Sequence, residues 1–173
     1  MSASYFELFG LEPAFNINLA TLENNYRSIQ SASHPDRFVT APNSEKLQSM
    51  QTATLANEAY QILKNPASRA KYLLALQGID AIAETNTTMP AEFLMQQMEW
   101  REAIEDARAD KNIDALDALL AEMQDEAQVL QVALINFLDV TKDSTLATQA
   151  ARKLIFIDKV CADIGQVIAR LEE

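Results

Sequence analysis

One histidine, His34, stands in 173 residues, inside the run Ser31, Ala32, Ser33, His34, Pro35, Asp36, Arg37 and Phe38. An imidazole with an acid two positions on and serines on its other side has the residue types of a nucleophilic relay. In such a relay the acid engages one ring nitrogen and the hydroxyl the other. Here every candidate lies within a few residues of one turn, so the groups cannot converge from two sides. A metal centre fails on ligands: with one His and one Cys in the chain, any site would be made of carboxylates alone. No glycine-rich phosphate loop or nucleotide-binding signature is present. No cofactor, no metal and no intrinsic catalysis are therefore expected. What remains is recognition. Pro35 stiffens the backbone, so that His34 and Asp36 are offered to another protein, whose arginine would find a directional, charge-assisted target at small entropic cost. The bland alternative is an incidental surface turn.

The elements around this run read as helices. Gly and Pro number three and five, apolar residues make up 49% and charged residues 23%, and Ala, Leu, Gln and Glu outweigh the β-branched types, so an all-α protein is expected. Residues 4–13 read as one short apolar helix or turn closed by Gly10 and Pro13. Asn18 is placed as an N-cap, with Leu19, Leu22, Tyr26 and Ile29 on one face after it, and Pro35 ends that helix near Ser33. A second long helix starts at Asn43 or Ser44, its core face drawn through Leu47, Met50, Ala53, Ala56, Tyr60 and Leu63. A shorter helix then runs to Gly78, a suitable residue to follow a helix end. The two long helices are expected to pair as an antiparallel hairpin.

Beyond it the organisation changes. Residues 1–75 form a first domain, 76–89 a linker with a Thr/Asn cluster, and 90–173 three helices. In the first of these, Phe93, Gln97, Trp100, Ile104 and Ala107 share a face. The second carries Leu116, Leu120, Met123, Ala127, Leu130, Leu134 and Phe137. The third carries Ala147, Ala150, Leu154, Ile157, Cys161, Ile164, Ile168 and Leu171. Alternating steps of three and four over about three heptads make the seam of a helical bundle.

Charge divides the chain at the same place. The net charge is −11, yet residues 1–75 balance six acids with six bases while residues 76–173 hold nineteen acids and eight bases. Nucleic acid and anionic membrane surfaces are disfavoured as partners, since both require a basic patch. No run approaches a membrane span and the first ten residues lack a basic start with an apolar core, so cytoplasmic residence is expected. A single Cys161 excludes an internal disulfide.

His-Pro-Asp between two long helices, with Ala56-Asn-Glu-Ala-Tyr-Gln-Ile-Leu-Lys-Asn-Pro and Arg69-Ala-Lys-Tyr-Leu closing the second, resembles a J-domain. Tyr5-Phe-Glu-Leu-Phe-Gly-Leu, Phe93-Leu-Met-Gln-Gln-Met-Glu-Trp-Arg-Glu and Arg152-Lys-Leu-Ile-Phe-Ile-Asp-Lys-Val extend the likeness, in that order, to the HscB family of J-proteins in iron-sulfur cluster assembly. The resemblance implies a J-domain followed by a C-terminal three-helix bundle. It further implies that His34, Pro35 and Asp36, with Arg27 and Arg37, engage a DnaK-type ATPase, HscA-like in this family, and stimulate its hydrolysis. Ser31, Ala32 and Ser33 replace the basic and aromatic residues common before the tripeptide, so the expected basic contact is either weaker or carried by Arg37 and Lys46.

The helix after the linker adds an observation of its own. At 100° per residue, Leu94, Met95 and Met98 fall off the face that Phe93 and Trp100 occupy and lie among Glu99, Glu102, Glu105 and Asp106. An apolar cluster rimmed by acids suggests docking, and methionines adapt to shape. Phe156 is likewise placed off the seam of the last helix and expected to be exposed. The alternative for this cluster is a junction with the first domain or a homodimer contact. By the same resemblance, Leu94, Met95, Met98, Glu99, Glu102, Asp106 and Phe156 bind an IscU-like cluster scaffold. Glu105 is an alternative to Asp106. A J-protein for another client and a helical adaptor that meets no chaperone are the competing readings.

Overall fold

Asn18 accepts a hydrogen bond from the Thr21 amide through its side chain, at 3.1 Å, and so opens the first long helix of a computed structural model that describes residues 4–83 and 89–173. Seven α-helices follow one another among those residues, with no strand: α1 (Tyr5–Leu8), α2 (Leu19–Ala32), α3 (Asn43–Lys64), α4 (Pro66–Leu76), α5 (Ala91–Ala109), α6 (Ile113–Leu134) and α7 (Ser144–Glu172). A 3-10 turn at Pro35–Phe38 joins α2 to α3, and α6 runs on through a π-helical segment at Ile135–Val140. The chain divides into two compact units, the first ending at Leu73 and the second running from Leu74 to Glu173.

In the first unit α2 and α3 pair, with α1 against α3. Phe6, Phe9, Phe15, Leu22, Ala56, Ala59 and Leu63 are fully buried or nearly so. Tyr26 stacks on Tyr60 with ring centroids 4.1 Å apart, donates its hydroxyl proton to Asn57 at 2.9 Å and accepts from Gln30 at 2.7 Å. Arg69 is buried beneath Phe15, its guanidinium 4.7 Å from the ring, and donates to the Leu63 carbonyl at 2.7 Å, which satisfies one of the orphan acceptors at the end of α3. The inward face of α3 differs from the expected one. Leu47 and Met50 are exposed, as is Leu19 on α2, while Ser49, Ala56, Ala59 and Leu63 face in. Phe6 and Tyr26 occupy space on the side where α1 and α2 meet α3, so Ala56 and Ala59 sit there beside Leu63 while Leu47 and Met50 lie to one side.

The second unit packs α5, α6 and α7 together. Phe93, Trp100 and Ala107 of α5, Leu116, Met123, Leu130 and Leu134 of α6, and Ala147, Ala150, Leu154, Ile157 and Ile164 of α7 are buried, following the expected stripes. The π-helical segment alters the end of one stripe: a wider turn carries Leu138, rather than Phe137, into the core after Leu134. Residues 79–83, expected within a linker, are tied to α7. Arg152 donates to the carbonyls of Ala81 at 2.9 Å and Ala83 at 3.4 Å, and Ala81 is buried. The Thr/Asn cluster at 84–88 lies outside the described residues.

Helix ends follow local rules. Gly78, at φ +78°, ends α4: its amide donates to Ala75 and that of Ile79 donates to Leu74, both at 2.9 Å. Lys111 performs the same turn after α5 at φ +54°, with its amide bonded to Arg108 and that of Asn112 to Ala107.

Candidate docking sites

Ser33 closes α2 by donating both its amide, at 3.0 Å, and its hydroxyl, at 2.7 Å, to the Ile29 carbonyl. His34 then turns extended, at φ −62° and ψ 136°, as a residue before proline must. Pro35 takes the first position of the 3-10 turn, where its missing amide proton costs nothing. The imidazole caps this turn: Nδ1 accepts from the Asp36 amide at 3.2 Å, and the His34 carbonyl accepts from Arg37 at 3.0 Å.

That geometry assigns the ring's proton. A nitrogen that accepts from an amide holds a lone pair there, so the N–H lies on Nε2. The Asp36 carboxylate also approaches Nδ1, at 3.6 Å, but an ion pair would need a proton where the lone pair points. The backbone hydrogen bond is shorter and directional, and it decides the ring's orientation. The side chains of His34 and Asp36 are 59% and 89% exposed, so the turn presents an imidazole N–H and an acid to solvent.

Arg37 shares this turn and is exposed. Arg27 lies seven residues before His34 on α2, where it pairs with Glu23 at 2.8 Å, so its charge is partly engaged within the helix. Lys46 is half-buried near the start of α3. Sequence reasoning missed a cleft of about 520 Å³ beside the turn, with Ile29, Ser33, Phe38 and Ser49 among its lining. Its only trace in the sequence is the run of small residues at 31–33.

In the second unit, Leu94, Met95 and Met98 are 48%, 62% and 64% exposed on α5. Met95, Glu99, Glu102 and Asp106 follow at steps of four, three and four, which puts them along one face. All three carboxylates on it are exposed. Glu105, also exposed, follows Glu102 by three residues and lies 3.9 Å from Arg108, so it borders the same patch and remains an alternative to Asp106.

Phe156 departs from the expectation of an exposed ring. It is half-buried, stacked nearly parallel to Trp100 with centroids 6.4 Å apart and edge-on to Phe93 at 5.8 Å, with the Arg101 guanidinium 5.8 Å from its ring. The spacing of α7 does place it off the seam, but α5 lies on that side and its aromatic residues receive the ring. Phe156 thus presents one edge of an aromatic cluster. Among the described residues no group of three or more His, Cys, Asp or Glu could hold a metal ion.

Comparisons with known proteins bear on both units. A family model described as the HSCB C-terminal oligomerisation domain matches residues 89–165. The chain is similar to a co-chaperone protein HscB homolog of Paraburkholderia phymatum, at 49% identity over 99% of this chain and 98% of the relative. Among solved structures it resembles chaperone HscB from Vibrio cholerae, with a TM-score of 0.82 and 35% identity over 98% of this chain and 99% of that one. It also resembles human co-chaperone protein HscB, with a TM-score of 0.86 and 26% identity over 95% and 82%.

Proposed function

Because the chain belongs to the HscB family of co-chaperones, whose members are not themselves enzymes, we propose that it stimulates the ATPase of an HscA-like, DnaK-type chaperone. In the same reading it delivers an IscU-like scaffold to that chaperone during iron-sulfur cluster assembly, in the cytoplasm. The observation that carries this is the His34-Pro35-Asp36 turn, exposed and held by its own backbone hydrogen bonds. A preorganised turn loses little entropy on docking, and Asp36 offers an arginine of the ATPase a charge-assisted contact. Arg37 and, with its charge shared by Glu23, Arg27 supply the basic side of the contact. The first domain, 1–75, performs this triggering. The bundle, 90–173, holds the scaffold through Leu94, Met95 and Met98, with Glu99, Glu102 and Asp106 as a rim and Phe156 as an aromatic edge. Holding both partners raises the scaffold's effective concentration at the chaperone.

Steady-state ATPase of a DnaK-type chaperone, with and without this protein and an IscU-like scaffold, tests the reading. The wild-type chain is expected to stimulate hydrolysis, and His34→Gln to lose at least tenfold of that stimulation while its helical circular dichroism stays unchanged. Stimulation by the variant at the wild-type level would overturn the role of the turn. Leu94→Ala with Met98→Ala is expected to weaken scaffold binding tenfold or more, on the order of 1.4 kcal/mol, as follows from removing exposed apolar contact at an interface. Unchanged affinity in a calorimetric titration would remove the patch.

A further inference from the structure

We infer that the groove between α5 and α7 is a second docking surface, shaped for an acidic amphipathic helix of a partner protein. The groove has a volume of about 580 Å³. Arg101 and Arg108 line it from α5 and Lys159 and Arg170 from α7, against two carboxylates, Glu105 and Asp163. Residues 76–173 carry nineteen acids and only eight bases, so half of the bases in this part of the chain gather at one groove. In a molecule of net charge −11, an anionic ligand meets repulsion over most of the second unit's surface and attraction here.

These cations are not consumed by internal pairing. Arg108 meets Glu105 only at 3.9 Å and in an exposed setting, and among the described residues neither Lys159 nor Arg170 has an ion pair. The bottom of the groove is apolar, formed by Ile104, Val160, Ile164 and Val167 with the ring of Phe156. An occupant must therefore set apolar side chains down and carboxylates at both rims.

Spacing fixes its length. Lys159, Asp163, Gln166 and Arg170 recur at steps of four, three and four and form one rim. The two cations stand about 16 Å apart along the axis at 1.5 Å per residue, the length of about eleven helical residues. The matching helix carries acids near both ends of its contact, one apolar stripe, and no acid opposite Asp163. The groove shares the Phe156 ring with the proposed scaffold surface but none of that surface's other residues, so the proposal stands without the scaffold-binding reading. It assigns opposite charge to the two faces of α5, acidic along Met95, Glu99, Glu102 and Asp106 and basic toward Arg101 and Arg108.

The test titrates the full chain into a fluorescein-labelled fourteen-residue helical peptide with one leucine stripe flanked by glutamates, and into its counterpart with lysines for the glutamates. The acidic peptide is expected to bind at least tenfold tighter than the basic one and to weaken at least tenfold between 50 and 300 mM salt, because exposed charges are screened. Lys159→Glu with Arg170→Glu is expected to abolish that preference, and Lys159→Arg with Arg170→Lys to keep it. Chaperone ATPase stimulation by the charge-reversed chain is expected to stay at the wild-type level, which separates failure of the groove from failure of the co-chaperone reading. If the reversal unfolds the chain by circular dichroism, Lys159→Gln with Arg170→Gln serves in its place. Equal binding of the two peptides, or insensitivity to both variants, overturns the proposal. So does a wild-type dimer in sedimentation that the reversal dissociates while acidic peptide fails to bind, since that result gives the groove to a second copy of the chain.

Discussion

His34 owes its orientation to a bond two residues long. Nδ1 takes the Asp36 amide, so the tripeptide is a self-capped unit whose outward groups are the Nε2–H and the Asp36 carboxylate. On the role proposed for the turn, a residue replacing His34 is expected to need both the cap and the outward donor, and Gln supplies neither in the same geometry. Lys111 is a second residue under local constraint. It holds φ at +54°, a region in which an L side chain is strained by about 1–2 kcal/mol, whereas glycine adds roughly 0.5–1 kcal/mol of unfolded-chain entropy. Lys111→Gly is therefore expected to stabilise the second unit by about 0.5–1 kcal/mol, read as a rise of a few degrees in thermal midpoint. A fall in midpoint would refute it. Cys161 is half-buried on α7; burial, and then the nearby Asp158 carboxylate, raise its thiol above the usual value. A raised pKa depletes the thiolate at neutral pH, so alkylation by iodoacetamide at pH 7.5 is expected to run slower than that of free cysteine and to gain steeply as pH rises past 9.

Among the elements, α5 does two jobs with two faces. Phe93 and Trp100 face the bundle and receive Phe156 from α7, while Leu94, Met95 and Met98 are left outside. The partly buried Phe156 ring means that a Phe156→Ala change reports on stability as well as on binding. It is expected to cost roughly 1–3 kcal/mol in chemical unfolding, from lost ring contacts, whereas Leu94→Ala and Met98→Ala stay within about 0.5 kcal/mol. Comparable losses for all three would show that the exposed patch is structural. Helical spacing separated these faces correctly on α5 because large apolar residues mark both. It held only in part on α3, where Ala56 and Leu63 face inward as expected, but so do Ser49 and Ala59, while Leu47 and Met50 do not. A small residue in a tight contact leaves no apolarity signal, so the partner's rings had to be seen before the face could be drawn.

At the scale of the molecule, the residues proposed for triggering and those proposed for client binding lie in different compact units, and the proposed function needs both at once. A chain defective in one still competes through the other. A tenfold excess of full-length His34→Gln is therefore expected to suppress scaffold-dependent ATPase stimulation by the wild-type chain several-fold, by sequestering the scaffold away from active copies. Undiminished stimulation under that excess would argue against a shared client. The charge division, balanced in the first 75 residues and strongly acidic afterwards, accords with two surfaces that meet different partners.

The sequence by itself determined the all-helical class, the cap at Asn18, the break at Pro35, the glycine turn at Gly78 and the bundle stripes. Each of these follows from local backbone chemistry or from a period that repeats along one helix. Only the tertiary structure decided that Phe156 joins Phe93 and Trp100, that Arg152 ties residues 79–83 to α7, and that four bases from two helices line one groove. Those groupings join residues far apart in sequence. They depend on the rotation and registry of one helix against another, which close packing sets and the periodicity of any single helix leaves open.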